Sequence, residues 1–306
     1  MGASLGSLDL PDQPDEQRRA EQAEAGDPGR PTPKPRELPD SDERGRAYEA
    51  ARAHVSGEMA DESSPSQRPD GTDQRSYRDE VPRFLEMGAD LERKWPVRQR
   101  AAVDSSVDPP GSADAIVRVR DAEPGVSACA QAIEQENTDK YGGWLEGFER
   151  RLKGENRLKE KIADKLQVEP SMTAAEALRD IGDAIRYTFC FQPGNYTRGY
   201  YDVKERYENR GCEMYFSKSW WTNSEYKGVN TRWLAPEGQR FEVQFHTPES
   251  FHAKHYVTHT AYERIRDPAA SDEERAEFKA FQREVSSWIR VPDGATDIPD
   301  YRKEGF

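Results

Sequence analysis

The sequence predicts an α+β (mixed α/β) fold, with one mixed β-sheet flanked by helices, behind a long disordered N-terminal region. Three observations support this prediction. Residues 1–75 contain few apolar side chains and many Pro, Gly, Asp, Glu and Arg residues, the composition of chains that cannot form a core. Between 143 and 183 the apolar residues recur at helical spacing. From residue 184 the period changes to the alternation that is typical of strands.

Composition excludes several classes of protein. The 306 residues carry 45 basic and 58 acidic side chains, a formal net charge of −13, which disfavours broad nonspecific binding to nucleic acid but allows a local basic patch. No apolar run is long enough to span a membrane, and the first residues lack the layout of a secretory signal. The 3 scattered Cys residues indicate a reducing compartment. We expect a cytoplasmic protein that makes no membrane contact.

A helical lead-in is predicted over residues 76–142. Its helices are expected to break at Pro82 and Pro96 and to lie on both sides of Pro124, because proline lacks the amide donor that a helix interior needs.

The main domain is predicted over residues 143–290, followed by a C-terminal tail at 291–306. Local signals mark its elements: Thr173 and Glu176 form a capping box, and Gly211 ends a helix. In chain order, the prediction is a long helix or two helices at 143–167, a helix at 171–183, a strand at 184–191, a helix at 195–211, strands at 212–221, 228–235 and 240–247, and helices at 248–267 and 271–289.

The stretch FEVQFHT (241–247) is the first candidate for a functional surface. Strand alternation places Glu242, Gln244 and His246 on one face and the apolar residues between them on the other. One interpretation is a sheet with a solvent-exposed face. The other is the floor of a binding site.

Acidic, basic and aromatic residues at other boundaries favour the second interpretation. Asp183 stands where a helix gives way to a strand, three residues before Arg186. Two carboxylates on neighbouring strands could hold Mg²⁺, which prefers oxygen ligands. Tyr226 precedes a Lys-Gly turn at which backbone can approach a ligand. The basic stretch at 150–165 is either a solvated helix face or a triphosphate-binding surface.

Five motifs in this order resemble the synthetase domain of the RelA/SpoT family, the (p)ppGpp-type alarmone synthetases. They are RLKGENRLKEK (151–161), DAIRYT (183–188), Lys218 in FSKSWW, YKGVNT (226–231) and FEVQFHT (241–247). The resemblance covers about 145–266 and looks closest to actinobacterial and toxin-like small synthetases and nucleotide 3′-pyrophosphokinases. The His-Asp metal motif of the family's hydrolase half is absent from the sequence.

The resemblance implies a nucleotidyltransferase-like sheet and transfer of the β,γ-diphosphate of ATP to the 3′-hydroxyl of a purine nucleotide, with Mg²⁺ and without hydrolase activity. The alternatives are the same chemistry on the 3′ end of tRNA and a non-catalytic nucleotide-binding protein. It also raises the hypothesis of a growth-inhibiting toxin with an antitoxin or immunity protein as partner. Neither the acceptor base nor the oligomeric state follows from the sequence.

The resemblance also implies a role for each matching residue. Glu242 and Asp183 would be the catalytic, Mg²⁺-binding acids, with Asp180 as the alternative to Asp183. The ATP phosphates would be bound by Arg151, Lys153, Lys161 and Arg186. The acceptor would be bound by Tyr226, Asn230 and Lys218. Gln244 and His246 would support the site.

Overall fold

The computed structural model describes residues 75–96 and 108–305, so nearly all of the predicted disordered region lies outside the described residues. The helices are α1 (Tyr77–Lys94), α2 (Ser112–Tyr141), α3 (Glu155–Val168), α4 (Ala174–Asp180), α5 (Tyr196–Asn209), α6 (Pro248–His252), α7 (His259–Arg266) and α8 (Asp272–Ser287). The strands are β1 (Trp144–Leu145), β2 (Arg186–Cys190), β3 (Glu213–Ser219), β4 (Val229–Leu234), β5 (Arg240–His246) and β6 (Tyr301–Arg302).

The strands form one mixed sheet in the order β1-β2-β5-β4-β3-β6. The pair β2 and β5 is parallel, whereas the other neighbouring strands are antiparallel. This architecture confirms the predicted α+β class. In the central register Glu242 of β5 lies between Arg186 of β2 and Arg232 of β4.

One face of the sheet is the main aromatic core. Phe241 and Phe245 of β5 are fully buried and pack against Tyr207 and Tyr200 of α5, with ring centroids 5.4 and 4.9 Å apart. Helix α2 closes the same face, where the hydroxyl groups of Ser127 and Tyr187 lie 2.9 Å apart. Each buried Phe contributes roughly 1.5–3 kcal/mol through removal of apolar surface from water.

The predicted helix at the start of the main domain is wrong before residue 155. Residues 143–154 form β1, a 3₁₀ turn at Phe148–Arg150 and a short extended segment in which Leu152 bridges Ile185. Gly147 has a positive φ of 64°, a conformation that glycine adopts without strain. The extended segment carries Lys153 to the beginning of β2, since its amide bonds to the carbonyl of Ala184 at 3.0 Å.

The predicted helix breaks at Pro82 and Pro124 are also wrong. Helices α1 and α2 continue through both prolines. Each proline removes one backbone hydrogen bond, but buried residues such as Phe84 and Ala130 anchor the same helices in the core. Tertiary packing therefore outweighs the local penalty.

The segment predicted as one helix at 248–267 is interrupted. Between α6 and α7, Ala253–Val257 form a π-helical turn, and the Thr258 amide bonds to the Ala253 carbonyl at 2.8 Å. The last part of the chain joins the fold, because Ile298 is buried and β6 pairs with β3. In the part of the chain that the structure describes, none of the helices combines the length and apolar character needed to cross a bilayer.

Candidate active site

The second face of the sheet is polar and buried. Glu242 is 2% exposed, and Gln244 and His246 are fully buried. The interpretation of this face as solvent-exposed is therefore wrong. In the strand register, Glu242 lies between Arg186 of β2 and Arg232 of β4. Gln244 lies between Thr188 of β2 and Asn230 of β4. A buried polar surface of this kind must satisfy its groups with one another or with a ligand.

Asp183 lies at the centre of a cationic cluster just before β2. The Lys161 Nζ is 3.0 Å from both carboxylate oxygens, and the Lys153 Nζ is 3.0 Å from Oδ2. Burial alone would raise the pKa of Asp183, but Lys153, Lys161 and Arg186 hold that pKa well below its ordinary value. Asp183 is thus ionised at any physiological pH.

The sequence left Asp180 as the alternative to Asp183. The Asp180 side chain is 45% exposed and lies 3.4 Å from Lys165 on the surface. Only Asp183 joins the buried cluster with Lys153 and Lys161. The geometry therefore favours Asp183, and its role as a metal ligand stays a prediction.

Glu242 is the second acid of the polar face. Its Oε1 accepts a hydrogen bond from Gln244 Nε2 at 3.0 Å, while its buried Oε2 has no hydrogen-bond partner among the described residues. Burial raises the pKa of Glu242; Arg186 opposes this shift and the negative charge of Asp183 adds to it. The two acids thus interact electrostatically, and their pKa values are shifted in opposite directions, that of Asp183 downwards and that of Glu242 upwards.

A hydrogen-bonded network occupies the end of β5. The Tyr226 hydroxyl donates to Asn230 Oδ1 at 2.9 Å and lies 3.0 Å from His246 Nε2, and His246 Nδ1 lies 2.9 Å from Ser250 Oγ. Burial, followed by the charges of nearby cations, lowers the pKa of His246 well below its ordinary value, so this imidazole is neutral. The network connects two of the predicted acceptor-binding residues, Tyr226 and Asn230, to the predicted supporting residue His246.

Gly228 is required by this network. A Cβ at position 228 would lie 2.8 Å from the His246 ring and 3.0 Å from the Phe245 carbonyl oxygen. Only glycine allows the loop that carries Tyr226 to approach β5 this closely. The predicted backbone approach at the Lys-Gly turn is therefore made to the protein itself.

Arg151 and Lys218 lie outside both the Asp183 cluster and the network at the end of β5. Arg151 forms an ion pair with Glu123 of α2 and stacks on Phe148, with its guanidinium carbon 4.4 Å from the ring centroid. Lys218 lies opposite Asn230 in the register and forms an ion pair with Asp300. Their predicted roles with ATP and the acceptor stay predictions.

Sequence reasoning missed Lys254 as a residue of this site. Lys254 is 4% exposed, and its Nζ donates a hydrogen bond to Gln244 Oε1. The position of this lysine depends on the π turn, which periodicity cannot predict. The only local signal is the occurrence of a lysine on a helix that directly follows the polar strand.

The donor set fits Mg²⁺. The carboxylates of Asp183 and Glu242 are both buried and interact electrostatically, and Oε2 of Glu242 lacks a hydrogen-bond partner among the described residues. Magnesium is typically bound by one or two carboxylates together with water and substrate phosphates. Within residues 75–96 and 108–305, no group of three or more His, Cys, Asp or Glu side chains could hold a metal by itself. A metal at this site would therefore arrive with phosphate ligands.

No family model and no curated protein matches the chain. Solved structures do match. A chain from the complex between the Type VI effector Tas1 and its immunity protein is 18% identical with a TM-score of 0.42, and the match covers 59% of this chain and 97% of that chain. Small alarmone synthetase 1 from Bacillus subtilis, bound to its product pppGpp, is 13% identical with a TM-score of 0.40, over 60% of this chain and 90% of that chain.

Proposed function

We propose that the chain is an ATP-dependent pyrophosphokinase that transfers the β,γ-diphosphate of ATP to the 3′-hydroxyl of a purine nucleotide. One observation supports this function above the others: a buried acidic pair, Asp183 and Glu242, lies beside Lys153, Lys161 and Arg186 on one face of the sheet. Phosphoryl chemistry needs charge neutralisation and positioning more than covalent participation. This combination of side chains provides both.

The proposed step begins with the acceptor hydroxyl. Its oxygen attacks the β-phosphorus of ATP and forms a new P–O bond, while the bond between the β-phosphorus and the α,β-bridging oxygen breaks and AMP leaves. Glu242 accepts the hydroxyl proton. Its raised pKa makes it a stronger base than an ordinary carboxylate, because a catalytic base works best when its pKa lies near the working pH.

The cations have a complementary task in this proposal. Lys153 and Lys161 bind Asp183 in the free protein, and we infer that they turn to the phosphates when ATP enters. Asp183 would then be free to hold Mg²⁺, which would supply charge neutralisation at the phosphoryl oxygens, while Glu242 keeps Oε2 for the proton of the acceptor. Retention of both acids argues against a non-catalytic protein that has merely kept the fold.

The test is the fate of labelled ATP. The protein is incubated with ATP labelled at the γ-phosphate and, separately, with GDP, ADP, AMP or tRNA. The proposal predicts label on a free nucleotide and release of unlabelled AMP in equal amounts. Label on tRNA would identify the alternative acceptor. ATP binding without transfer to any acceptor would instead support a nucleotide-binding protein.

We further propose that the activity inhibits growth, because the sequence lacks the His-Asp motif with which the family degrades its product. A partner that blocks the site would then be needed as an antitoxin or immunity protein. Induction of the chain in a bacterial host should arrest growth, and induction of Glu242→Gln should not. Equal growth under both inductions would contradict toxicity without bearing on the transfer assay.

A further inference from the structure

A buried lysine reaches the polar face and has no part in the step described above. Lys254, on the π turn, donates a hydrogen bond to Oε1 of Gln244. Nε2 of Gln244 donates in turn to Oε1 of Glu242 at 3.0 Å. These three side chains therefore form one hydrogen-bonded chain that ends on the proposed base. We call it the Lys254 chain.

The chemistry of lysine fixes the direction of the Lys254 chain. An ammonium group has donors only, so the part of the Gln244 amide that meets Lys254 must be the oxygen. The amide nitrogen must then face Glu242, and a donor that faces a carboxylate stabilises its ionised form. Without a donor at position 254, the amide could rotate and present its oxygen to Glu242, which would disfavour that form.

The same arrangement distinguishes the two oxygens of Glu242. Oε1 is held by Gln244, whereas the buried Oε2 has no hydrogen-bond partner among residues 75–96 and 108–305. A general base needs a carboxylate oxygen without a hydrogen bond inside the protein, and contacts to the other oxygen have to hold it in place. The Lys254 chain supplies the contact on the other oxygen.

We propose that Lys254 is a positioning residue, which acts through Gln244 to anchor Oε1 of Glu242 and to leave Oε2 for the hydroxyl proton of the acceptor. This inference depends on the proposed function for the reaction, but the orientation of the three side chains is a property of the protein alone. It can therefore be tested with and without turnover.

Other groups also act on Glu242 and have to stay constant in the test. They are Asp183 and Arg186 at the start of β2, Arg232 of β4, Tyr215 of β3 and Tyr226 of the loop before β4. A substitution at 254 keeps all of them. Lys254→Met also removes the ammonium charge, so a change in the titration of Glu242 is attributable to the Lys254 chain only if Gln244→Met, which keeps that charge, gives a change in the same direction.

The first test is the titration of the Glu242 carboxyl group by ¹³C NMR, with its resonance assigned by its loss in Glu242→Gln. We expect the midpoint to move to higher pH in Lys254→Met and to return toward the wild-type value in Lys254→Arg, which keeps a donor. Gln244→Met should also raise it, because this variant removes the amide donor and keeps the charge of Lys254. Equal midpoints in the wild type and Lys254→Met would overturn the proposal.

The second test is kinetic. Lys254→Met should lower kcat about 10- to 100-fold, as small misplacements of a catalytic group do, with KM for ATP within about twofold of the wild type. The acid limb of its kcat profile should move to higher pH. Lys204→Met is the control, since Lys204 lies on α5 and pairs with Glu208 at 2.7 Å.

The outcomes separate the two proposals. An inactive wild type would contradict the proposed function, while the NMR titration would still decide the role of Lys254. An active wild type whose Lys254→Met variant keeps its kcat and its pH profile would overturn the positioning role and leave the proposed function in place. If Lys254→Met does not fold, Lys254→Arg and Gln244→Met carry the same comparison.

Discussion

The two faces of β5 are equally buried but differ in how their groups are satisfied. Phe241 and Phe245 on one face pack against aromatic rings of α5. On the other, Glu242 retains a buried oxygen without a hydrogen-bond partner among the described residues. Apolar packing stabilises the fold, whereas an unsatisfied buried polar atom destabilises it. Among the side chains of β5 itself, incomplete hydrogen bonding and not exposure distinguishes the polar face, where we propose the active site.

The largest expected effect is the loss of transfer in Glu242→Gln. The amide cannot accept the hydroxyl proton, so we expect the rate to fall about 10²- to 10⁴-fold, the range for a general base. The unfolding free energy should stay equal or rise at neutral pH. The raised pKa of Glu242 means that its ionised form is disfavoured in the folded state, and Gln removes that cost.

The measurements are the labelled-ATP assay and urea unfolding on the same preparation. Phe241→Ala serves as the stability control, because it changes the adjacent residue of the same strand on the other face. Full transfer activity in Glu242→Gln would break the comparison, since the polar face would then have no chemical role at this position.

The second prediction concerns the apolar face directly. Phe241 is fully buried against Tyr207 and Tyr187, so Phe241→Ala should leave a cavity and lower the unfolding free energy by about 3–5 kcal/mol. Activity per folded molecule should change far less than in Glu242→Gln. Urea unfolding and an activity titration of the folded fraction check both values. A loss below about 1 kcal/mol would show that this face is not the core.

The third prediction concerns how the stability that Asp183 contributes depends on pH. The lowered pKa of Asp183 contributes stability above the pKa of an unfolded aspartate, and this stability is lost as pH falls toward the folded pKa. Asp183→Asn leaves Lys153 and Lys161 without this carboxylate and should cost roughly 1–3 kcal/mol at pH 7. The unfolding free energy of the variant should fall less steeply below pH 5 than that of the wild type. Parallel curves of unfolding free energy against pH for the variant and the wild type would contradict a stabilising role of the Asp183 cluster.

Local signals predicted much of this fold. The Thr173 capping box is present, with the Glu176 amide donating to the threonine hydroxyl at 3.2 Å. Alternation in 241–247 predicted which side chains share a face, because that rule depends only on strand geometry. Boundaries of β2 to β5 fall within about two residues of those predicted.

The rest depends on segments that are distant in sequence. Lys153 precedes β5 in the sequence and contacts Asp183, whereas Lys254 follows β5 and contacts Gln244 of the buried polar face. Arg151 pairs with Glu123, 28 residues earlier, which requires the path of α2. The π turn that places Lys254 has no periodic signature. The motifs could therefore identify candidate residues but not which of them meet.

The smallest expected effect is that of Tyr226→Phe, which tests whether the ring or the hydroxyl of Tyr226 matters. The buried hydroxyl bonds to Asn230 and contacts His246, so its removal should lower the unfolding free energy by about 1 kcal/mol. If the ring stacks on the acceptor base, KM for the acceptor should stay within about threefold of the wild type, whereas Tyr226→Ala should raise it further. Equal acceptor kinetics in the wild type and Tyr226→Ala would refute stacking. Tyr226 would then belong, with His246, to the structural network at the end of β5, and the acceptor base would have to be bound elsewhere on the polar face.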